Sequence, residues 1–327
     1  MAPLTKTTRV YATHNIPLEC DVYEADDYPA DAPVLLWFHA GGLVDGSRVA
    51  IPPWLVQACF QRKWPLVSAS YRLLPQTGAD GLLEDAAAAY RFARTLGGAT
   101  ERRVIAAGSS AGFFMASLIA QHLQPKPLAL LSDTGIPTFD HPFFRSSHQI
   151  EDPLLSRDDA DGYCAEPLSV GQTPLSLFRL DMLLPSGARN PDVTPAKPVA
   201  LRHRLYAYFV RTNAYGDLVG KVDRGFGWAR RDPAGRRDDE LADWPVTVFI
   251  QGDDDHDTPV EVCASVAEAL GERARFCLAR GQDHCFEVNC FLEDGDRPGM
   301  EAVREALGEL DQAVAAAAAA AAAMSQA

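Results

Sequence analysis

Short apolar runs alternate with helical stretches through most of this chain. Val34-Leu35-Leu36-Trp37-Phe38 is followed by Trp54 to Lys63, then by Pro65 to Tyr71, Leu82 to Leu96 and Val104 to Ala107. Apolar runs without polar alternation suit strands buried on both faces, and helices between them make those strands parallel. The alternation resumes with Leu128 to Ser132, Val246 to Ile250, Ala274 to Ala279 and a last helix from about Met300. The pattern therefore predicts the α/β class, with a mostly parallel central sheet of about eight strands and helices on both faces. Ahead of this core, Arg9 to Ala12 and Leu18 to Tyr23 read as two antiparallel strands joined around His14-Asn15-Ile16-Pro17, an edge hairpin.

Residues 138–243 interrupt the alternation and are rich in Pro, Arg, Asp and aromatics, with helix-compatible pieces at 176–184 and 201–212. A structureless loop of that length does not suit a compact domain, so the segment is expected to be an inserted helical cap over a pocket. The chain then divides into a first core part (1–137), the cap (138–243), a second core part (244–312) and an alanine-rich tail (313–327). Alanine favours helix but offers little to bury, so the tail is expected to extend the last helix and fray.

A 327-residue chain that is 47% hydrophobic can bury a substantial core. Its net charge of −14 and pI near 5.0 would repel nucleic acid and anionic membranes. The first residues lack the apolar core of a secretory signal, and no membrane span is expected, so the protein reads as soluble and cytoplasmic. Seven scattered cysteines, with no Cys-x-x-Cys pair, argue against a disulfide framework or zinc site. Among them Cys285, beside His284, reads as a small apolar filler rather than a nucleophile.

Candidate chemistry begins at Gly108-Ser109-Ser110-Ala111-Gly112, between an apolar run and a helix-like segment. A serine flanked by glycines at a strand-to-helix turn points to a nucleophile, since the tight turn excludes flanking side chains and pushes the hydroxyl clear of the backbone. Two strands earlier, Phe38 is followed by His39-Ala40-Gly41-Gly42. Consecutive glycines there leave amides free to face an incoming oxygen, so Gly41, Gly42 and Ala111 are the expected oxyanion hole.

With Ser70-Tyr71-Arg72-Leu73-Leu74-Pro75 and Glu84-Asp85-Ala86 added to these turns, the chain resembles the α/β-hydrolase superfamily, and within it the hormone-sensitive-lipase group of carboxylesterases. The likeness runs from about residue 9 to 310 outside the insert; Ala40 replaces the first glycine of that group's His-Gly-Gly-Gly turn, and Gln76 its usual Glu. The resemblance implies the α/β-hydrolase fold and the chain order serine, acid, histidine. It assigns Ser110 as nucleophile, His284 as base and Asp255, aligned by Gly252 and Pro259, as acid, with Asp253, Asp254 and Asp257 as rivals. A calcium loop suits that acidic stretch poorly, so no metal and no cofactor are expected. By the same likeness His39 braces the oxyanion turn, while His141 and His148 fall in the cap, within reach of substrate. Cap aromatics such as Phe139, Phe143, Phe144, Phe178, Tyr206, Tyr208 and Phe209 read mainly as its core.

The implied activity is serine-hydrolase cleavage, through an acyl-enzyme, of an ester, lactone or thioester of a small to medium hydrophobic acyl substrate. Two alternatives stay open: a lyase or cyclase using the same triad, and a non-catalytic small-molecule binder. A looser likeness to hydrolases of fungal polyketide biosynthesis implies a polyketide substrate. The expected partner is that small molecule, with homodimerisation left open.

Overall fold

The parallel strands are apolar throughout because successive residues face opposite sides and both sides are covered. In the computed structural model, which describes residues 2–98, 101–148, 155–171, 178–193, 202–229 and 239–326 (side chains of the last helix to Ala320), they form one eight-stranded sheet. Its strands are β1 (Thr5–His14), β2 (Ile16–Glu24), β3 (Val34–Phe38), β4 (Leu66–Ala69), β5 (Val104–Ser109), β6 (Ala129–Asp133), β7 (Val246–Gly252) and β8 (Ala274–Ala279). They lie in the order 1-2-4-3-5-6-7-8, antiparallel at the β1–β2 and β2–β4 pairings and parallel from β4 to β8. The described helices are α1 (Pro53–Arg62), α2 (Gly78–Arg94), α3 (Gly112–His122), α4 (Arg157–Cys164), α5 (Arg204–Arg211), α6 (Tyr215–Val219), α7 (Asp239–Ala242), α8 (Val260–Leu270) and α9 (Met300–Gln326).

Val34, Leu36, Phe38, Ala106, Leu130 and Phe249 enter one core cluster with residues of α2, α3 and α8. Their neighbours Leu35, Trp37, Ile105, Ala107, Leu131, Val248 and Ile250 enter another with α1 and α9. The result is the α/β-hydrolase arrangement of three layers. Because β3 lies beside β5, with Phe38 opposite Gly108, and β6 lies on the other flank of β5, the turns after all three strands meet at one edge of the sheet. That is where ligands bind open parallel sheets.

The hairpin is longer and its turn tighter than expected. Residues His14, Ile16 and Pro17, read as turn, lie in the strands, and Asn15 alone reverses the chain at φ +66°, a conformation asparagine tolerates. The alanine-rich tail extends the last helix as expected, α9 running to Gln326 with its buried face ending near Ala313.

Between β6 and β7, the piece expected at 201–212 is α5, with position 201 outside the described residues. The piece at 176–184 is no helix; positions 176 and 177 lie outside the described residues, and the rest makes only the 3-10 turn Leu180–Met182 before Pro185, whose ring disfavours helix in the residue before it. Phe139 and Tyr215 stack at 4.3 Å, and Phe144, Tyr206 and Phe209 are buried around them. Phe178 packs elsewhere, edge-on to Tyr23 at 5.6 Å. Among the described residues no helix is long and apolar enough to cross a membrane.

One buried cation ties the sheet edge to α2. The Arg72 guanidinium meets the fully buried Asp85 carboxylate at 2.7 to 3.0 Å and Glu84 at 2.6 Å, and donates to the Gly81 carbonyl. His14 completes the cluster, its Nδ1 2.8 Å from Asp85. The arginine thus supplies the positive charge in a His14–Glu84–Asp85 group that could otherwise suit a metal ion. Removing one member of a buried pair leaves the other uncompensated, so Arg72→Met is expected to cost about 3–5 kcal/mol. A urea unfolding midpoint measures this, and an unchanged midpoint would show that Asp85 needs no arginine.

Candidate active site

Ser110 sits where β5 turns into α3, at φ +50°, a left-handed conformation uncommon for a side-chain-bearing residue. The turn closes only without side chains at its ends. A Cβ on Gly108 would come within 2.4 Å of the Gly112 carbonyl carbon, and one on Gly112 within 2.2 Å of the Phe38 carbonyl oxygen. Backbone bonds hold the tip: the Ser110 amide donates to the Asp133 carbonyl (3.0 Å), and its carbonyl accepts from Phe113 (3.0 Å) and Ile136 (2.8 Å).

The Ser110 hydroxyl is 2.9 Å from Nε2 of His284, whose Nδ1 is 2.8 Å from an Asp255 carboxylate oxygen. These three residues are brought together from the ends of β5, β8 and β7. The loop after β7 selects among its acids: Asp255 is buried, while Asp253 and Asp254 are exposed and Asp257 presents its carbonyl to the Tyr206 hydroxyl. The Asp255 carboxylate also accepts from the amides of Asp257 (3.0 Å) and Thr258 (2.7 Å) and from the Gln251 side chain (2.9 Å). Burial disfavours charge on the His284 ring. The Cys285 sulfur and the Asp255 carboxylate more than reverse this, so its pKa stands well above the usual imidazole value.

Beside the serine, the turn after β3 is held from several sides. His39 is buried, stacked on Tyr71 at 4.2 Å, with its Nδ1 2.9 Å from the Ala40 carbonyl. Burial pushes its pKa down to about 4, so it stays neutral and its Nδ1–H donates to that carbonyl. Gly41 and Gly42 have φ of +125° and +61°, which favour glycine. Among the described residues no acceptor engages the amides of Gly41, Gly42 or Ala111.

The stretch between β6 and β7 touches this turn. The Tyr215 hydroxyl donates to the Gly42 carbonyl (2.6 Å), and a Cβ on Gly42 would meet Tyr206 at 2.6 Å. Arg202 donates to the Val44 carbonyl (2.7 Å), the Leu74 carbonyl (3.2 Å) and the Gln76 side chain (3.1 Å). Gln76 in turn donates to the Tyr163 carbonyl (2.8 Å), so the residue that departs from the resembled family is a link to this stretch.

His148 is exposed and stacks on Phe143 at 4.9 Å. His141 accepts the Phe143 amide and lines a separate cleft of about 250 Å³ with Phe226 and Val266. Cys285 is not an apolar filler. Its sulfur lies 3.6 Å from the Ser109 hydroxyl and 3.5 Å from that of Thr134, and its φ is +52°. The support from Gln251, Tyr71 and Tyr215 escaped sequence reasoning. For Gln251 one signal exists: a polar residue ending an apolar strand is buried and needs a partner.

Comparison with known proteins points to the same fold. A family model described as alpha/beta hydrolase fold matches residues 35–176. Lipase 2 of Moraxella sp. (strain TA144) is 34% identical over 109 residues, 32% of this chain and 25% of that protein. Esterase LipI of Mycobacterium tuberculosis is 39% identical over 95 residues, 28% of this chain and 30% of that protein. The matches thus span about a third or less of either relative's length. An alpha/beta hydrolase superfamily protein from Enterococcus faecalis superposes with a TM-score of 0.62 at 16% identity, covering 95% of this chain and 98% of its own. The chain has the α/β-hydrolase fold and is similar in sequence to that family over residues 35–176. Within that class it resembles the hormone-sensitive-lipase and carboxylesterase group.

If the Asp255 carboxylate raises the His284 pKa, Asp255→Asn should make that imidazole titrate at lower pH. NMR of the ring protons across a pH series reads this, and an unmoved titration would sink the assignment of Asp255 as the partner.

Proposed function

We propose that the protein is a serine hydrolase that cleaves a carboxylic ester, lactone or thioester of a small to medium hydrophobic substrate. The observation that carries this reading is the continuous relay from Ser110 through His284 to Asp255, at 2.9 and 2.8 Å, beside three amides that no acceptor of the described residues engages. His284 takes the Ser110 proton as the hydroxyl oxygen bonds to the carbonyl carbon. The amides of Gly41, Gly42 and Ala111 receive the oxyanion, each donor contributing about 3 kcal/mol. Collapse of the tetrahedral intermediate expels the alcohol or thiol, which takes the proton from His284. Water, activated by the same imidazole, then attacks the acyl-serine and releases the acid, regenerating Ser110.

Asp255 orients the imidazole and stabilises its charged form. The names of the two curated relatives, a lipase and an esterase, support this chemistry. Residues 138–243 act as the cap that selects the acyl group, a role supported by the contacts of Tyr206 and Tyr215 with the Gly42 turn. A polyketide-derived ester falls within that substrate class.

Wild type should hydrolyse p-nitrophenyl esters with a preference among chain lengths, and Ser110→Ala should lower kcat/KM about a thousandfold or more. A fluorophosphonate should label wild type but not Ser110→Ala. Equal labelling of both proteins rules Ser110 out as the nucleophile, and labelling of wild type without hydrolysis of any ester favours the lyase or cyclase reading.

A further inference from the structure

Behind His284 lie two carboxyl groups that the proposed mechanism does not use. Asp133 ends β6 between Ser109 of β5 and Ile250 of β7, and its carbonyl holds the Ser110 amide at 3.0 Å. Glu287 follows His284 by three residues in the turn after β8. Both side chains are fully buried. Apart from the Glu287 main chain, no N–H or O–H of the described residues reaches their four oxygens, and the two buried carboxyls lie against each other.

Such a contact needs a proton between the two groups, because two buried carboxylates in contact cannot both ionise. The titratable groups facing the pair are His284 and Cys285 from the turn after β8 and Asp255 from the turn after β7. Among them only His284 can carry positive charge. Full protonation would leave the pair neutral, whereas one shared proton leaves a single negative charge beside the one imidazole that gains charge when Ser110 attacks.

We propose that Asp133 and Glu287 are a positioning pair that shares one proton, fastening the His284 turn to the strand end that holds Ser110 and placing one negative charge behind the imidazole. The inference deepens the serine-hydrolase reading and rests on it for its catalytic meaning. Burial, and then the neighbouring Glu287 carboxyl, holds Asp133 well above the ordinary carboxyl range, and burial likewise raises Glu287. The sign follows from linkage. Each raised group gives stability that is full below its unfolded pKa of about 4 and is lost as pH rises through the folded value. The wild type should therefore lose stability through this pair as pH rises above about 4.

Glu287→Gln tests the pair because its amide can donate to an ionised Asp133, keeping both the contact and the single charge without a labile proton. Its Tm should fall less than that of wild type as pH rises above about 4. The double variant Asp133→Asn/Glu287→Gln removes the charge, and NMR of His284 should then show the imidazole titrating at lower pH than in wild type. In ester hydrolysis Glu287→Leu should lower kcat/KM about tenfold or more through kcat, and Glu287→Gln should restore most of that loss. The proposal is overturned if the wild-type and Glu287→Gln Tm profiles run parallel, or if the His284 titration is the same in the double variant. Neither measurement needs turnover. A wild type that fluorophosphonate does not label would sink the hydrolase reading, while these two results would still decide the shared proton.

Discussion

The molecule depends on a close approach that only missing side chains permit. Three main-chain segments converge where β5 ends: the strand end itself, the first turn of α3 and the end of β3. The carbonyl of Phe38 lies where a Cβ of residue 112 would be, and the main chain at 112 where one of residue 108 would be. Ser110 is held there in a left-handed conformation that costs on the order of 1–3 kcal/mol. What sustains that strain is the sheet, buried on both sides and fixed in register with β3 and β6, so the turn cannot relax without breaking strand pairing. The serine hydroxyl is left to His284 because the amide and carbonyl of Ser110 are already bonded.

The same economy governs charge. Asp85 is answered by Arg72, and Asp255 by two amides, the Gln251 side chain and the His284 ring. His39 is kept neutral by burial and joined to the carbonyl beside it. Asp85, Asp255 and His39 thus each have a counterpart, whether a cation, a set of dipoles or a neighbouring carbonyl. Bare desolvated charge would cost several kcal/mol at any of these positions.

Most of the fold was legible because its strands are parallel and doubly covered. Such strands leave apolar runs, and the helices between them leave spacing, so β3 to β8 fall within one or two residues of their expected bounds. The site was legible through rules of order and turn chemistry: glycines at 41, 42, 108 and 112, then an acid and a histidine each following a strand. Other parts depend on contacts between distant positions and leave no local trace. Tyr215 reaches Gly42, Gln76 reaches Tyr163, and Asp133 meets Glu287, across separations no periodicity encodes. Gln251 differs: it ends an apolar strand four residues before Asp255, a local sign of burial, and only its partner needed the folded chain. Asn15 and the piece at 176–184 were misjudged where one residue's tolerance, or one proline, outweighed the surrounding pattern.

The bond from Tyr215 to the Gly42 carbonyl, with Tyr206 pressed against the same glycine, has a consequence for how such a protein changes over generations. The Gly42 peptide that α6 grips by its oxygen is continuous with the main chain whose amides are the proposed oxyanion donors. Variation in α5 and α6 therefore does not drift independently of the chemistry. A replacement that reshapes the segment also shifts the donors by fractions of an ångström. New preferences and new rates should be inherited together, with compensating changes in the Gly41–Gly42 turn.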